Sequence, residues 1–163
     1  MADLNNLISP FFLNDKEIRK IIELFFFSYR DFTAGPDQIL EKLHFGRAHH
    51  RVIYFVGKKD KITIKELLAV LKITKQSLSR VLNQLVKEGF IVVSTGLDKR
   101  TKNLSLTSSG LSLENELSTI QIQKVKNVIN NFNQKDIDCF KKIFLLSIST
   151  ISYKIFLKPS ISS

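Results

Sequence analysis

The chain has 163 residues, 44% hydrophobic and 25% charged, which is the size of one ordinary domain with ample material for a core and excludes wholesale disorder. Its net charge is +10, unevenly placed: residues 47–102 carry 13 Lys and Arg against four acids, so +9 of the excess lies in the middle third. A charge segregated in this way suits a polyanion, either nucleic acid or an anionic membrane surface. The lone Cys139 excludes a disulfide framework and a paired-thiol metal site, and points to a reducing compartment.

The start, MADLNNLISPFFLNDKE, lacks the basic n-region and apolar run of a secretory signal. Asn14 or Asp15 is placed to cap a first helix running to about Asp31, with Asp15 and Glu17 in its first turn. Ile18, Ile21, Ile22, Phe25 and Tyr29 make one apolar stripe, which Leu24, Phe26 and Phe27 widen beyond a single face. Such a helix must be covered on most sides. The sequence AGP at 34–36 predicts a break, with PDQILEKL as a separate short helix starting on Pro36.

FGRAHHRVIYFVGKK predicts a helix from about Arg47 to Val56, ended by Gly57. Thr63, with Glu66 three residues on, forms a capping box before IKELLAVL. Lys72 and Ile73 are the whole connection to the next N-cap, Thr74, whose helix runs to about Glu88 and stops at Gly89. FIVVS and KNLSL predict a two-stranded hairpin across the basic tip TGLDKRT. Past Gly110 a long helix reaches about Phe132, and Asn133 or Gln134 divides it from a last helix at 135–156. Ile137, Phe140, Phe144, Ile148, Ile151 and Ile155 lie on one side of that helix. The apolar run IFLLSISTISY has 11 residues between Lys142 and Lys154, about half of what a membrane-spanning helix needs. The expectation is a cytoplasmic protein without a membrane segment.

Two helices joined by a few residues and followed at once by a hairpin have the layout of a winged helix-turn-helix. In the second helix Leu78, Val81, Leu82, Leu85 and Val86 share one side, and Gln76, Arg80, Asn83 and Lys87 line the other, with Ser77, Ser79 and Gln84 at the margins. Arg suits guanine O6 and N7, Gln and Asn suit adenine N6 and N7, and Ser accepts either. Solvated helix faces usually mix Glu with Lys; this one carries no acid before Glu88. The expectation is that Gln76, Ser77, Ser79 and Arg80 read a DNA major groove, assisted by Asn83. Thr74, Lys75 and Lys87 would hold phosphates, and Lys99, Arg100 and Lys102 at the hairpin tip would grip the minor groove or backbone, with Asp98 orienting Arg100.

The run TIKELLAVLKITKQSLSRVLNQLVKEGFI followed by DKRTKNLSLTSSG resembles the core of the MarR family of bacterial transcriptional regulators over about residues 45–132. FGRAHHRVIYFV and ITKQSLSRVL further resemble its PetP-like subgroup. The resemblance implies a homodimer built by the N- and C-terminal helices, a recognition helix starting near Thr74, and a wing arginine at Arg100 in the minor groove. STGLDKR departs from the family's usual wing in being shorter. Two-fold symmetry implies a pseudo-palindromic operator with half-sites about 34 Å apart.

His44, His49 and His50 lack metal-ligand spacing, since adjacent histidines on a helix point about 100° apart, so no metal and no cofactor are expected. Cys139, in an apolar helix, is expected to be buried and inert. Phe25, Phe26, Phe27, Tyr29, Tyr54 and Phe55 suit either core packing or a pocket for an aromatic effector. No Gly-rich phosphate loop, nucleophile elbow or carboxylate pair indicates an enzyme.

The fold class expected is therefore mainly α with a small antiparallel β wing: a winged helix-turn-helix at 45–107, flanked by helices at 1–44 and 108–163 that form a dimerisation lobe. The function expected is a homodimeric, sequence-specific, effector-modulated regulator on double-stranded DNA. Two rivals are a protein-interaction winged helix and a sequence-neutral architectural or RNA-binding protein; the uncharged Gln76, Ser77 and Ser79 argue against pure backbone binding.

Overall fold

A computed structural model describes residues 14–96 and 98–147. The chain divides into two units, residues 1–34 and 35–163. The elements are α1 (Asp15–Lys42), α2 (Arg47–Lys58), β1 (Ile62–Thr63), α3 (Ile64–Leu71), α4 (Lys75–Lys87), β2 (Ile91–Thr95), β3 (Lys102–Leu106), α5 (Ser108–Ile129) and α6 (Gln134–Ser147).

The first unit contains the leading half of α1. Asn14 caps it: its Oδ1 accepts the Glu17 N–H at 3.1 Å, and Glu17 Oε2 accepts the Asn14 N–H at 3.1 Å. Ile18, Ile21, Ile22, Leu24, Phe25, Phe26, Phe27 and Tyr29 are all exposed.

The expected break at 34–36 is absent, for α1 is continuous through Pro36. Proline has no N–H to give to the Phe32 carbonyl, a cost that the full burial of Pro36 offsets. Gly35 is a packing requirement rather than a stop signal, because a Cβ there would stand 2.7 Å from Ile120 Cγ2. One N-terminal helix thus replaces two. It ends at His44, whose φ of 54° is left-handed, with the Phe45 N–H donating to the Leu40 carbonyl at 2.8 Å.

In the second unit the core gathers Leu40, Val52, Ile53, Val56, Leu67 and Leu85, all 0–1% exposed, with Leu78, Ile91, Leu104, Leu113 and Leu117. Each such side chain contributes about 1.5–3 kcal/mol by leaving water. α2 extends one residue beyond Gly57.

The capping box of α3 is present: Thr63 Oγ1 accepts the Glu66 N–H at 3.2 Å, and Glu66 Oε2 accepts the Thr63 N–H at 2.9 Å. Ile62 and Thr63 add an edge strand that the hairpin expectation omitted. The sheet has three antiparallel strands in the order β1-β3-β2, pairing Ile62 with Leu104 and Val93 with Leu104.

α5 starts at Thr107, whose Oγ1 accepts the Gly110 N–H at 3.1 Å and donates to the Gly89 carbonyl at 2.6 Å. Asn133 caps α6 by accepting the Asp136 N–H at 3.0 Å. No described α6 residue is buried. Cys139 is consequently exposed, which corrects the expectation of a buried thiol. The expected stripe residues Ile148, Ile151 and Ile155 lie outside the described residues.

Candidate nucleic-acid interface

The helix-turn-helix geometry follows from two caps and one unusual backbone. α3 closes on Lys72, which takes a left-handed φ of 51° while its N–H donates to the Leu68 carbonyl. Ile73 follows, and Thr74 Oγ1 then accepts the Ser77 N–H at 3.1 Å to start α4. A residue forced into the left-handed region turns the chain sharply, so α4 leaves α3 at a fixed angle. α4 closes on Gly89, whose φ of 77° suits glycine and lets the Phe90 N–H donate to the Leu85 carbonyl at 2.9 Å.

α4 buries Leu78, Val81, Leu82 and Leu85. Val86, expected on that side, is 39% exposed. It borders a groove of about 520 Å³ between α4 and the wing, floored by Ile64, Leu78 and Leu82 and edged by Val93. Lys75, Ser79, Asn83 and Lys87 form the polar lip of the same groove, Gln76, Ser77 and Arg80 lie beyond it, and all seven are exposed. Among the described residues, the side chains of Lys75, Gln76, Ser79, Arg80, Asn83 and Lys87 have no hydrogen-bond or ion-pair partner. Thr74 and Ser77 are occupied with each other, the Thr74 hydroxyl donating to Ser77 Oγ at 2.9 Å.

The wing is held from inside its turn. The Asp98 carboxylate accepts the Arg100 N–H at 3.0 Å, and the Thr101 N–H donates to the Asp98 carbonyl at 2.8 Å. Asp98 therefore orders the Arg100 backbone, leaving the guanidinium outward. Lys99, Arg100 and Lys102 are exposed, and Lys102 Nζ donates to Thr95 Oγ1 at 3.4 Å. Two carboxylates of this region, Glu66 and Asp60, are held by partners away from α4. Glu66 receives Lys59 at 2.6 Å, and that hydrogen bond with the Thr63 N–H lowers its pKa to about 2. Asp60 accepts the Ser105 hydroxyl at 2.7 Å.

Gln84, which the sequence sets at the margin of the reading face, and Arg51, which it does not single out, have definite partners. Gln84 is half-buried, bonded to His49 and to the His44 carbonyl; Arg51 Nη2 donates to the Leu71 carbonyl at 3.0 Å. The signal available was Gln84's drift from the Gln76–Arg80 line. His50 is buried, and desolvation pushes its pKa below the ordinary value against the weaker pull of Asp37 and Glu114. Among the aromatics, Phe55 packs against the core and meets the edge of Tyr54 at 5.3 Å. Among the described residues no helix is long and apolar enough to cross a membrane, and no group of His, Cys, Asp and Glu could hold a metal ion.

The sequence is similar to known regulators, and the fold to solved structures. The MarR family model matches residues 45–101. The chain is 49% identical over 111 residues to the HTH-type transcriptional regulator PetP of Rhodobacter capsulatus, covering 68% of this chain and 67% of that one. Its fold is similar to that of Streptococcus pneumoniae FabT in complex with DNA, with a TM-score of 0.68 at 19% identity over 78% of this chain and 92% of the other. A MepR mutant of S. aureus bound to an oligodeoxyribonucleotide is similar with a TM-score of 0.54 at 20% identity, over 78% and 94% of the two chains. With the turn, the recognition-type helix and the wing all present in a chain so close to PetP, the protein belongs to the MarR family of DNA-binding transcriptional regulators, a family without enzymatic activity.

Proposed function

We propose that this protein is a sequence-specific regulator that binds double-stranded DNA in the cytoplasm as a homodimer. The observation that carries this reading is the row of exposed, unpartnered Gln76, Ser79, Arg80 and Asn83 on one face of α4, next to a basic wing, in the segment that holds nearly all the net charge. Gln76, Ser79 and Arg80 contact base edges in the major groove, and Ser77 and Asn83 assist. Lys75, Lys87 and the Thr74 turn hold phosphates, and Lys99, Arg100 and Lys102 reach the flanking minor groove or backbone. FabT and the MepR mutant, both solved on DNA, support the same use of the fold here.

Residues 45–107 form the DNA-binding lobe, and the flanking segments 1–44 and 108–163 form the dimer lobe. The support is apolar: Phe26 at 71%, Ile122 at 52% and Leu146 at 80% exposure are surfaces that a single chain leaves in water. Two-fold symmetry then sets a pseudo-palindromic operator. An aromatic effector is the proposed modulator, with the exposed Tyr54 as an apolar contact for it.

The test is fluorescence anisotropy on the gene's own upstream duplex and on a shuffled duplex across a salt series. Preference for the native duplex of about a hundredfold or more, with affinity falling steeply in salt, is expected. Equal salt-sensitive binding would favour an architectural protein or an operator elsewhere, and no binding would favour a protein-interaction module.

A further inference from the structure

Gln84 lies four residues after Arg80 on α4, beside the reading face, yet its amide is turned toward the start of α2. Its Oε1 is 2.9 Å from His49 Nε2, and its Nε2 donates to the His44 carbonyl at 3.4 Å. The partners fix every role in this network. The Gly46 N–H can only donate, so His49 Nδ1, 3.1 Å away, accepts; the ring proton is then on Nε2, and Gln84 Oε1 receives it.

The surroundings hold the imidazole still. Phe45 stacks on it with ring centres 4.7 Å apart and planes 10° apart, and Phe90 meets the other ring of that stack edge-on at 5.4 Å. The His44 carbonyl is aimed by the left-handed residue that ends α1. Arg51, two residues further along α2, donates to the carbonyl of Leu71, the last residue of α3. α2 therefore has a polar bond to each half of the helix-turn-helix.

The buried stripe of Leu78, Val81, Leu82 and Leu85 sets which face of α4 turns inward, and a directional hydrogen bond narrows the remaining roll. A roll of α4 by about 20° would carry a side-chain tip about 6 Å from the helix axis through about 2 Å. That displacement is larger than a base-edge hydrogen bond tolerates. Lysines holding phosphates from flexible stems would follow the backbone through the same roll.

We propose that His49 and Gln84 are positioning residues for sequence recognition, a latch that sets the roll of α4 on α2 so that Gln76, Arg80 and Asn83 meet the bases in register. The inference rests on the DNA-reading function proposed above. It assigns the latch to discrimination between sequences, not to affinity for DNA as such.

Wild type, His49→Ala, Gln84→Ala, the double variant, Gln84→Met and Gln84→Glu are compared on the native and shuffled duplexes, with thermal unfolding of each. Each alanine variant and Gln84→Met, which keeps the shape without the acceptor, should lower the native-to-shuffled affinity ratio about tenfold, the scale of one good base contact. The double variant should fall no lower than Gln84→Ala, which already loses both bonds of the amide, the one to His49 and the one to the His44 carbonyl. Gln84→Glu keeps the acceptor for His49 and loses only the 3.4 Å bond to the His44 carbonyl, so its ratio should stay above that of Gln84→Met, while its charge weakens both duplexes alike. If the alanine variants do not fold, the contrast between Gln84→Met and Gln84→Glu decides. A wild type that discriminates while Gln84→Met discriminates equally overturns the latch alone, as do single losses that add in the double variant. A wild type that binds both duplexes alike and enriches no shared motif from a random pool overturns the recognition function and the latch with it.

Discussion

Replacing Gly110 by alanine tests how the wing is joined to α5. A Cβ at this position would stand 2.1 Å from the Phe90 carbonyl oxygen, 3.1 Å from its carbon and 3.2 Å from Leu106 Cβ. An ordinary carbon–oxygen contact is about 3.3 Å or longer, so the first turn of α5 must retreat by about 1 Å. The same turn carries the Thr107 N–H that donates to the Phe90 carbonyl at 3.1 Å and the Thr107 hydroxyl that donates to Gly89 at 2.6 Å. Losing one such bond costs about 1 kcal/mol, and overpacking against backbone adds about 1–3 kcal/mol, for a destabilisation of about 2–4 kcal/mol. Urea unfolding followed by circular dichroism measures it, as the chain has no Trp. Ser109→Ala, exposed in the same turn, should stay within about 0.5 kcal/mol of wild type. Gly110→Ala within that same margin would refute the close approach of α5 to the base of the wing.

Arg80→Ala should cost about 1–3 kcal/mol on the native duplex and relax preference at one base pair. Lys99→Ala should weaken all duplexes alike and flatten the salt dependence; indistinguishable behaviour of the two in anisotropy would remove the division between base reading and backbone gripping. The Glu66 carboxylate, with a folded pKa of about 2 against an ordinary 4.5, contributes stability that is whole above about 4.5 and is lost as pH falls toward 2. Glu66→Gln should therefore show a shallower acid limb in urea unfolding, and an unchanged limb would refute the assignment. His50 acts at higher pH: its folded pKa lies below the unfolded 6.5, so the unfolded chain takes the proton first and stability declines as pH falls below about 6.5. That part of the slope should vanish in His50→Asn. The wild type should sediment as a dimer and Phe26→Asp with Leu146→Asp as a monomer, whereas a monomeric wild type would contradict the dimer lobe.

Local signals were legible in the sequence where the partners lie within a few residues of each other. The Thr63–Glu66 box, the Thr74 cap and the Gly89 stop need only three or four residues to declare themselves, and α4 repeats its apolar side often enough to reveal its period. Signals that depend on distant partners were not. Ile62 and Thr63 become a strand only because Leu104 and Asn103 lie beside them. Pro36 reads as a break until its burial and the contact of Gly35 with Ile120 are known. Val86 fits the apolar period of α4 but lines an open groove with Val93 and stays exposed. Gln84 shows its difference from Gln76 in the sequence only as a place at the margin of the reading face; its partners, His49 and the His44 carbonyl, come from the fold of residues 44–49. Cys139 sits in a helix whose apolar residues made burial the natural expectation, but that helix lies on the surface of the single chain.

Selection of binding sites from a pool of random duplexes by the wild-type protein tests sequence reading by a two-fold dimer most directly. The account predicts enrichment of an inverted repeat with half-site centres about 34 Å apart, one turn of DNA. Recovery of duplexes without a shared motif, bound as tightly as the starting pool, would contradict it.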